Sequence, residues 1–201
     1  MATATKRIPI TGDLDADRLL VRDPLALLIG MLLDQQVPME WAFRGPATLR
    51  DRLPATADGR LDAGAIAAMD RDAFVALCCT KPAIHRFPAS MGRRIWDACA
   101  HVEEHYGGDA SRIWKRVRTG AEVYRRLREI PGYGDEKARI FVAILGKRLG
   151  VRPAGWEEAA DPFGDAQPRS VADVADELSL QAVRDWKKAM KAARKTKRDQ
   201  P

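Results

Sequence analysis

The segment Leu127-Arg-Glu-Ile-Pro-Gly-Tyr-Gly-Asp-Glu-Lys-Ala-Arg-Ile-Phe-Val-Ala-Ile-Leu-Gly-Lys-Arg148 decides how the chain is read. Before the prolines and glycines, Val123, Leu127 and Ile130 recur every three or four residues; after them, Ala138, Phe141, Val142 and Leu145 do the same. That is the period of an amphipathic helix. Between the two runs, Pro131-Gly-Tyr-Gly134 allows a tight turn and a close backbone approach. Residues 121–149 are therefore two helices meeting at a glycine turn. Free N–H groups and the helix dipole at the second start, near Gly132 and Gly134, make an anion site. Lys137, Lys147 and Arg148 add charge to this segment. An ordinary helix-helix turn has the same local pattern.

Working outward, Asp23-Pro24 is a helix start signal ahead of the apolar run Leu25–Leu33. A helix apolar on every side belongs at the centre of a fold. A second helix is expected over 39–53, interrupted at Gly45-Pro46, and a loop over 54–60. Further helices are expected over 62–68, 70–79, 88–106 and 109–117, the last opened by Asp109 after Gly107-Gly108. Residues 150–169 read as mainly irregular, and Ser179 as the cap of a final helix. There is no strand-like alternation and no internal repeat, so the fold class is all-α.

The 201 residues carry 34 basic and 28 acidic side chains, a net charge of +6. The charge is unevenly placed. Residues 111–152 hold 12 basic against 4 acidic groups, 153–186 hold 2 against 8, and 187–201 hold 7 against 1. Clustered basic segments suit a phosphate-backbone binder, although a solvated helix face gives the same count. A domain over 1–186 with a basic tail over 187–201 is the expected organisation. No apolar run reaches the ~20 residues of a membrane span. The N-terminal stretch lacks a signal-peptide core. Cys78, Cys79 and Cys99 cannot all pair, which points to free thiols and a cytoplasmic, nucleoid-associated protein. The three His and three Cys have no metal-ligand spacing, and no phosphate-loop or dinucleotide motif is present.

The hairpin segment resembles the helix-hairpin-helix (HhH-GPD) DNA glycosylase superfamily, whose pattern is L-x-x-(I/L)-P-G-(V/I)-G-x-x-(T/K)-A. The early helix ending Leu32-Leu-Asp-Gln-Gln36 is similar to that family's L-x-Q-Q ending. The stretches MLLDQQVPMEWAFRGP (31–46), HRFPASM (85–91) and GVRPAGWEEAA (150–160) resemble its actinobacterial-type base-excision-repair branch. The resemblance covers residues 23 to about 160. It implies two helical lobes, a cleft between them that takes double-stranded DNA, and a monomer. It implies no iron-sulfur cluster here, because four ligating thiolates are lacking. The one ion it would allow is a monovalent cation at the hairpin.

Carried over position by position, Gly132 and Gly134 are the hairpin glycines whose amides contact phosphate. Gln36 falls where endonuclease-III-like members fill the gap left by a flipped base. Members that also cut the strand carry a Schiff-base Lys two residues after the second hairpin glycine, where this chain has Glu136. Lys137 is one residue on, turned by ~100°, and is expected to miss the pocket. The usual catalytic Asp is replaced by Gly155 in Val151-Arg-Pro-Ala-Gly-Trp-Glu-Glu158.

Breaking an N-glycosidic bond builds positive charge on the sugar, so a carboxylate is needed to stabilise it or to deprotonate water. Asp34 is the first candidate and Glu136 the second; Glu157 and Glu158 read as a first helix turn. Gln35, Gln36, Trp41 and His85 are candidates for the base pocket or for gap filling. Each has a plainer reading: Trp41 as packing, His85 as a helix cap, Asp34 as a polar helix end. The functional expectation is a monofunctional glycosylase acting on a modified pyrimidine such as uracil or a 5-substituted uracil, with alkylated purine second. The alternatives are a DNA-binding module that kept the fold and lost catalysis, and a helical protein-interaction domain with a basic tail.

Overall fold

The computed structural model describes residues 8–198, and side chains to residue 193. The described residues are helical: α1 Leu14–Arg22, α2 Pro24–Leu33, α3 Met39–Arg50, α4 Ala63–Ala68, α5 Arg71–Cys79, α6 Pro88–Tyr106, α7 Gly120–Glu129, α8 Asp135–Arg148, α9 Trp156–Ala159 and α10 Glu177–Arg198. Short 3-10 turns lie at Ala110–Ile113 and Val171–Asp173. No strand occurs among them, so the all-α class holds. No described helix is long and apolar enough to cross a membrane.

The core is built on α2. Asp23 caps it by accepting the amides of Leu25 and Ala26, and Pro24 occupies a position where a missing N–H costs nothing. The other Asp23 oxygen takes the amide of Leu61 at 2.8 Å, tying the chain ahead of α4 to the start of α2. Every residue from Leu25 to Leu33 is buried. Helices α1, α3, α6 and α8 all pack against it. A side stack of α4 and α5 on α6 and a second of α7 and α9 on α8 complete the molecule.

Three expectations change. First, α3 runs unbroken through Gly45-Pro46. A Cβ on Gly45 would lie 2.4 Å from Leu33 Cδ1, so the glycine lets α3 press onto α2, and that contact outweighs the bond Pro46 removes. Second, the helix expected over 109–117 shrinks to Ala110–Ile113. Arg116 adopts a left-handed backbone (φ 57°), and the chain then turns so that Gly120 N–H reaches Ala154 O at 2.7 Å. Third, Asp176, not Ser179, is the residue that opens α10: it accepts the amide of Ser179, and the Ser179 hydroxyl takes the amides of Ala175 and Asp176 in return. As the sequence suggests, the last helix, α10, runs on across Trp186 into the basic stretch. The part of the basic tail over 199–201 lies outside the described residues. An unexpected helix, α1, is capped by Asp13 and lays Ala16, Leu19 and Leu20 into the core.

Candidate functional site

A cleft of about 1020 Å³ opens at the C-terminal end of α2. Its walls are the Asp34–Val37 loop, the first turns of α8, the Asp161–Phe163 loop and the middle of α10. Four acids (Asp34, Asp135, Glu136, Asp161) and five cations (Lys137, Arg139, Arg169, Lys187, Lys191) line it, with Phe163 and Trp186 as its aromatics. The sign is thus mixed: this is no uniformly basic channel, and individual carboxylates have to be considered one by one.

Asp34 ends α2 and forms no side-chain hydrogen bond or ion pair among the described residues. Burial pushes its carboxyl above the ordinary range, against the pull of Lys187 and Lys137. The side chain is half-buried at the cleft, and a carboxylate shifted by burial beside a cleft is a candidate for binding or proton transfer. Glu136 is exposed at the same cleft, on the first turn of α8. Asp135 is already engaged by Tyr124 and Arg139. Asp161, which the sequence reading missed, lines the cleft with its side chain unbonded. Gly155 does not line it: it caps α9 with φ 66° and faces a separate hollow beside Thr119 and Tyr124.

Lys137 is corrected twice. It lines the cleft instead of missing it, because α8 begins against the end of α2. Its amine is then spent within the fold, donating to the carbonyls of Met31 (2.6 Å), Leu32 (3.2 Å) and Asp34 (3.0 Å). These are the carbonyls that an α-helix leaves without partners at its C-terminus. Burial brings the amine down to about 8. It has no N–H left for a phosphate. Lys147 and Arg148 are likewise not partners of the glycine turn. They sit at the other end of the 14-residue α8, ~20 Å away at the helical rise. There Lys147 pairs with Asp173 and bonds Asp165 O, and Arg148 bonds Val174 O.

The turn itself is firmly seated. Gly132 has φ 88°, and a Cβ there would lie 2.5 Å from Leu32 Cδ1. Tyr133 is buried and donates its hydroxyl to Leu28 O at 2.7 Å. Gly134 opens α8 with no side-chain cap and with space around it. Within the turn Ile130 O accepts the amide of Tyr133, and Tyr133 O accepts the guanidinium of Arg128 at 3.4 Å. Among the described residues no group of His, Cys, Asp and Glu could hold a metal ion.

Gln35 and His85 form a brace. Gln35 donates to Leu32 O and accepts from Arg94. His85 is buried; its Nδ1 accepts the amide of Phe87, so Nε2 carries the proton and donates to Gln35 O at 2.9 Å. Burial keeps this imidazole below its ordinary value, in keeping with a neutral ring. Both residues shape the site and neither has a polar group to spare. Gln36 is different: its side chain is exposed and its backbone is left-handed (φ 57°), which disfavours every residue but Gly, Asn and Asp. Beside the brace, Trp41 (41% exposed) and Phe87 (44%) flank the His85 ring, with Arg86 over Phe87. Phe87 carried no distinctive sequence signal; only its exposure on the folded surface singles it out.

Comparisons with protein-family models, curated proteins and solved structures found no significant match to this chain.

Proposed function

We propose that the protein is a monofunctional DNA glycosylase of base excision repair, with Asp34 as its catalytic carboxylate. The observation that carries this reading is the half-buried Asp34, without a side-chain partner among the described residues, at a cleft lined by both cations and carboxylates. Double-stranded DNA would be held across two helical lobes, with the hairpin of α7 and α8 on one strand's phosphates. The open first-turn amides after Gly134 and the cations Lys187 and Lys191 supply attraction for backbone phosphates, whereas Arg139 and Arg169 are paired with Asp135 and Asp165. A flipped base enters the cleft, which Gln36 lines, and the exposed Trp41 and Phe87 beside His85 offer further surfaces for stacking. Asp34 takes a proton from water as the water oxygen attacks the sugar carbon; the base leaves with the electron pair of the broken N-glycosidic bond. The commitment of all Lys137 N–H groups to α2 supports the absence of a strand-cutting step. A modified pyrimidine is the first substrate class and alkylated purine the second.

One observation favours a second reading, a DNA-binding module without catalysis: the position of the family's usual Asp is Gly155, outside the cleft. The deciding experiment is an excision screen on duplexes each carrying one lesion, read with and without alkali. Alkali-dependent breaks at one lesion class are expected. Tight binding to lesion duplexes with no excision across uracil, 5-substituted uracils and alkylated purines would favour the module.

A further inference from the structure

A second groove, of about 590 Å³, lies at the opposite end of α2. Pro24 and Leu27 line it, whereas Met31 and Asp34 line the cleft described above. At the helical rise the two ends of α2 are ~15 Å apart, so the openings are distinct. Five cations surround this groove (Arg22, Arg60, Lys115, Arg116, Arg152) and no acidic side chain lines it. Its floor is apolar: Val117, Leu149 and Val151 are half-buried there, over the almost wholly buried Leu20 and Trp114.

The nearby acids have hydrogen-bond partners of their own. Asp109 is occupied by the amide and hydroxyl of Ser111, and Asp23 by the amides at the start of α2 and at Leu61. Two of the cations are held in fixed positions. Arg22 donates to Asp58 O and Gly59 O, and Arg152 donates to Gly146 O while lying over the Trp156 ring. Arg60 pairs with Asp58. Lys115 and Arg116 are exposed, and their side chains have no hydrogen bond or ion pair within the described residues. Arg116 also keeps a left-handed backbone that would suit glycine or asparagine better. Five cations against the nearby Asp58 and Asp109 leave an excess of positive charge at the groove, which an anion relieves.

We infer that this groove binds a small phosphorylated ligand with a flat apolar body, the phosphates meeting Lys115 and Arg116 and the body lying on the apolar floor. The volume matches that of small-molecule sites, and a cationic rim over an apolar floor suits a ligand with both characters. A bare phosphate would leave the floor uncovered; an uncharged ring would leave the cations unpaired. This inference does not depend on the glycosylase reading.

The test is calorimetric titration of the full chain with three probes: ADP, pyrophosphate and adenosine. ADP is expected to bind most tightly, pyrophosphate next and adenosine weakest. The variant Lys115→Gln/Arg116→Asn should weaken ADP binding by roughly tenfold or more, since each cation supplies a charge-assisted hydrogen bond. Asparagine tolerates the backbone at 116, and an unchanged Tm would show that the variant is folded. Affinity for an undamaged duplex should be unchanged in the variant. Failure of both ADP and pyrophosphate to bind overturns the inference, as does ADP binding that ignores both substitutions. Loss of duplex affinity in the variant, with ADP unable to compete with DNA, would make the groove a nucleic-acid surface instead and would also overturn it.

Discussion

Asp34 shows how much a single side chain's surroundings matter. Its folded carboxyl titrates above the ordinary range because burial outweighs the lysines. A group raised in this way contributes its stability below the unfolded value, and loses it as pH climbs through the folded one. Asp34→Asn should therefore raise Tm at pH 7–8, with the gain fading toward pH 3; a pH series of thermal melts checks this, and a lower Tm at pH 8 would contradict it. Gln36 is the second residue of this kind. Gln36→Gly should relieve backbone strain worth ~1 kcal/mol, so Tm should hold or rise. Lesion-duplex affinity should fall with the lost side chain; stability and affinity falling together would mean that Gln36 is only a packing residue. Asp34 was legible in the sequence because it ends an apolar helix beside two glutamines. Asp161 was not, because nothing local in Ala160-Asp-Pro-Phe163 reveals that its loop folds back onto the start of α8, where Arg139 holds Asp161 O.

At the scale of elements, capping and periodicity carried most of the reading. Asp23-Pro24, Asp109 and the glycine turn behave as their chemistry requires, and α2, α5, α6 and α8 lie close to where the apolar spacing puts them. The failures came from tertiary contacts that no window of sequence contains. Gly45-Pro46 looks like a break until Leu33 is found against it. Lys147 and Arg148 look like free charge until the 165–174 segment folds over them. Lys147→Ala should thus leave the salt dependence of DNA binding unchanged. It should instead cost ~1–3 kcal/mol of stability by leaving Asp173 unpaired in a half-dry site. A salt slope shallower by about one unit would restore Lys147 to the phosphates. Helix α10 calls for the opposite correction. Val183 is buried and Arg169 lies over Trp186, while Lys187, Met190 and Lys191 wall the cleft. Ending the chain after Trp186 keeps that anchor, and it should lower the preference for lesion over undamaged duplex as well as total affinity. Affinity falling equally for both duplexes would make the tail a nonspecific arm.

Over the whole molecule, one buried helix couples everything. α2 carries Asp34 and the Lys137 brace at one end and the basic groove at the other, and the side stacks on α6 and α8 flank it. The all-α class follows from the absence of period-two patterning. The placement of Asp34 in a cleft of mixed charge does not, because it depends on four separated segments meeting. The central claim is that Asp34 performs base excision in that cleft. Its most direct test is single-turnover excision by wild type and by Asp34→Asn on the lesion duplex that wild type cleaves fastest. The rate should fall ~10²–10⁴-fold in the variant, with duplex affinity kept or improved. Excision at the wild-type rate by Asp34→Asn would contradict the claim and move the chemistry to Glu136 or Asp161.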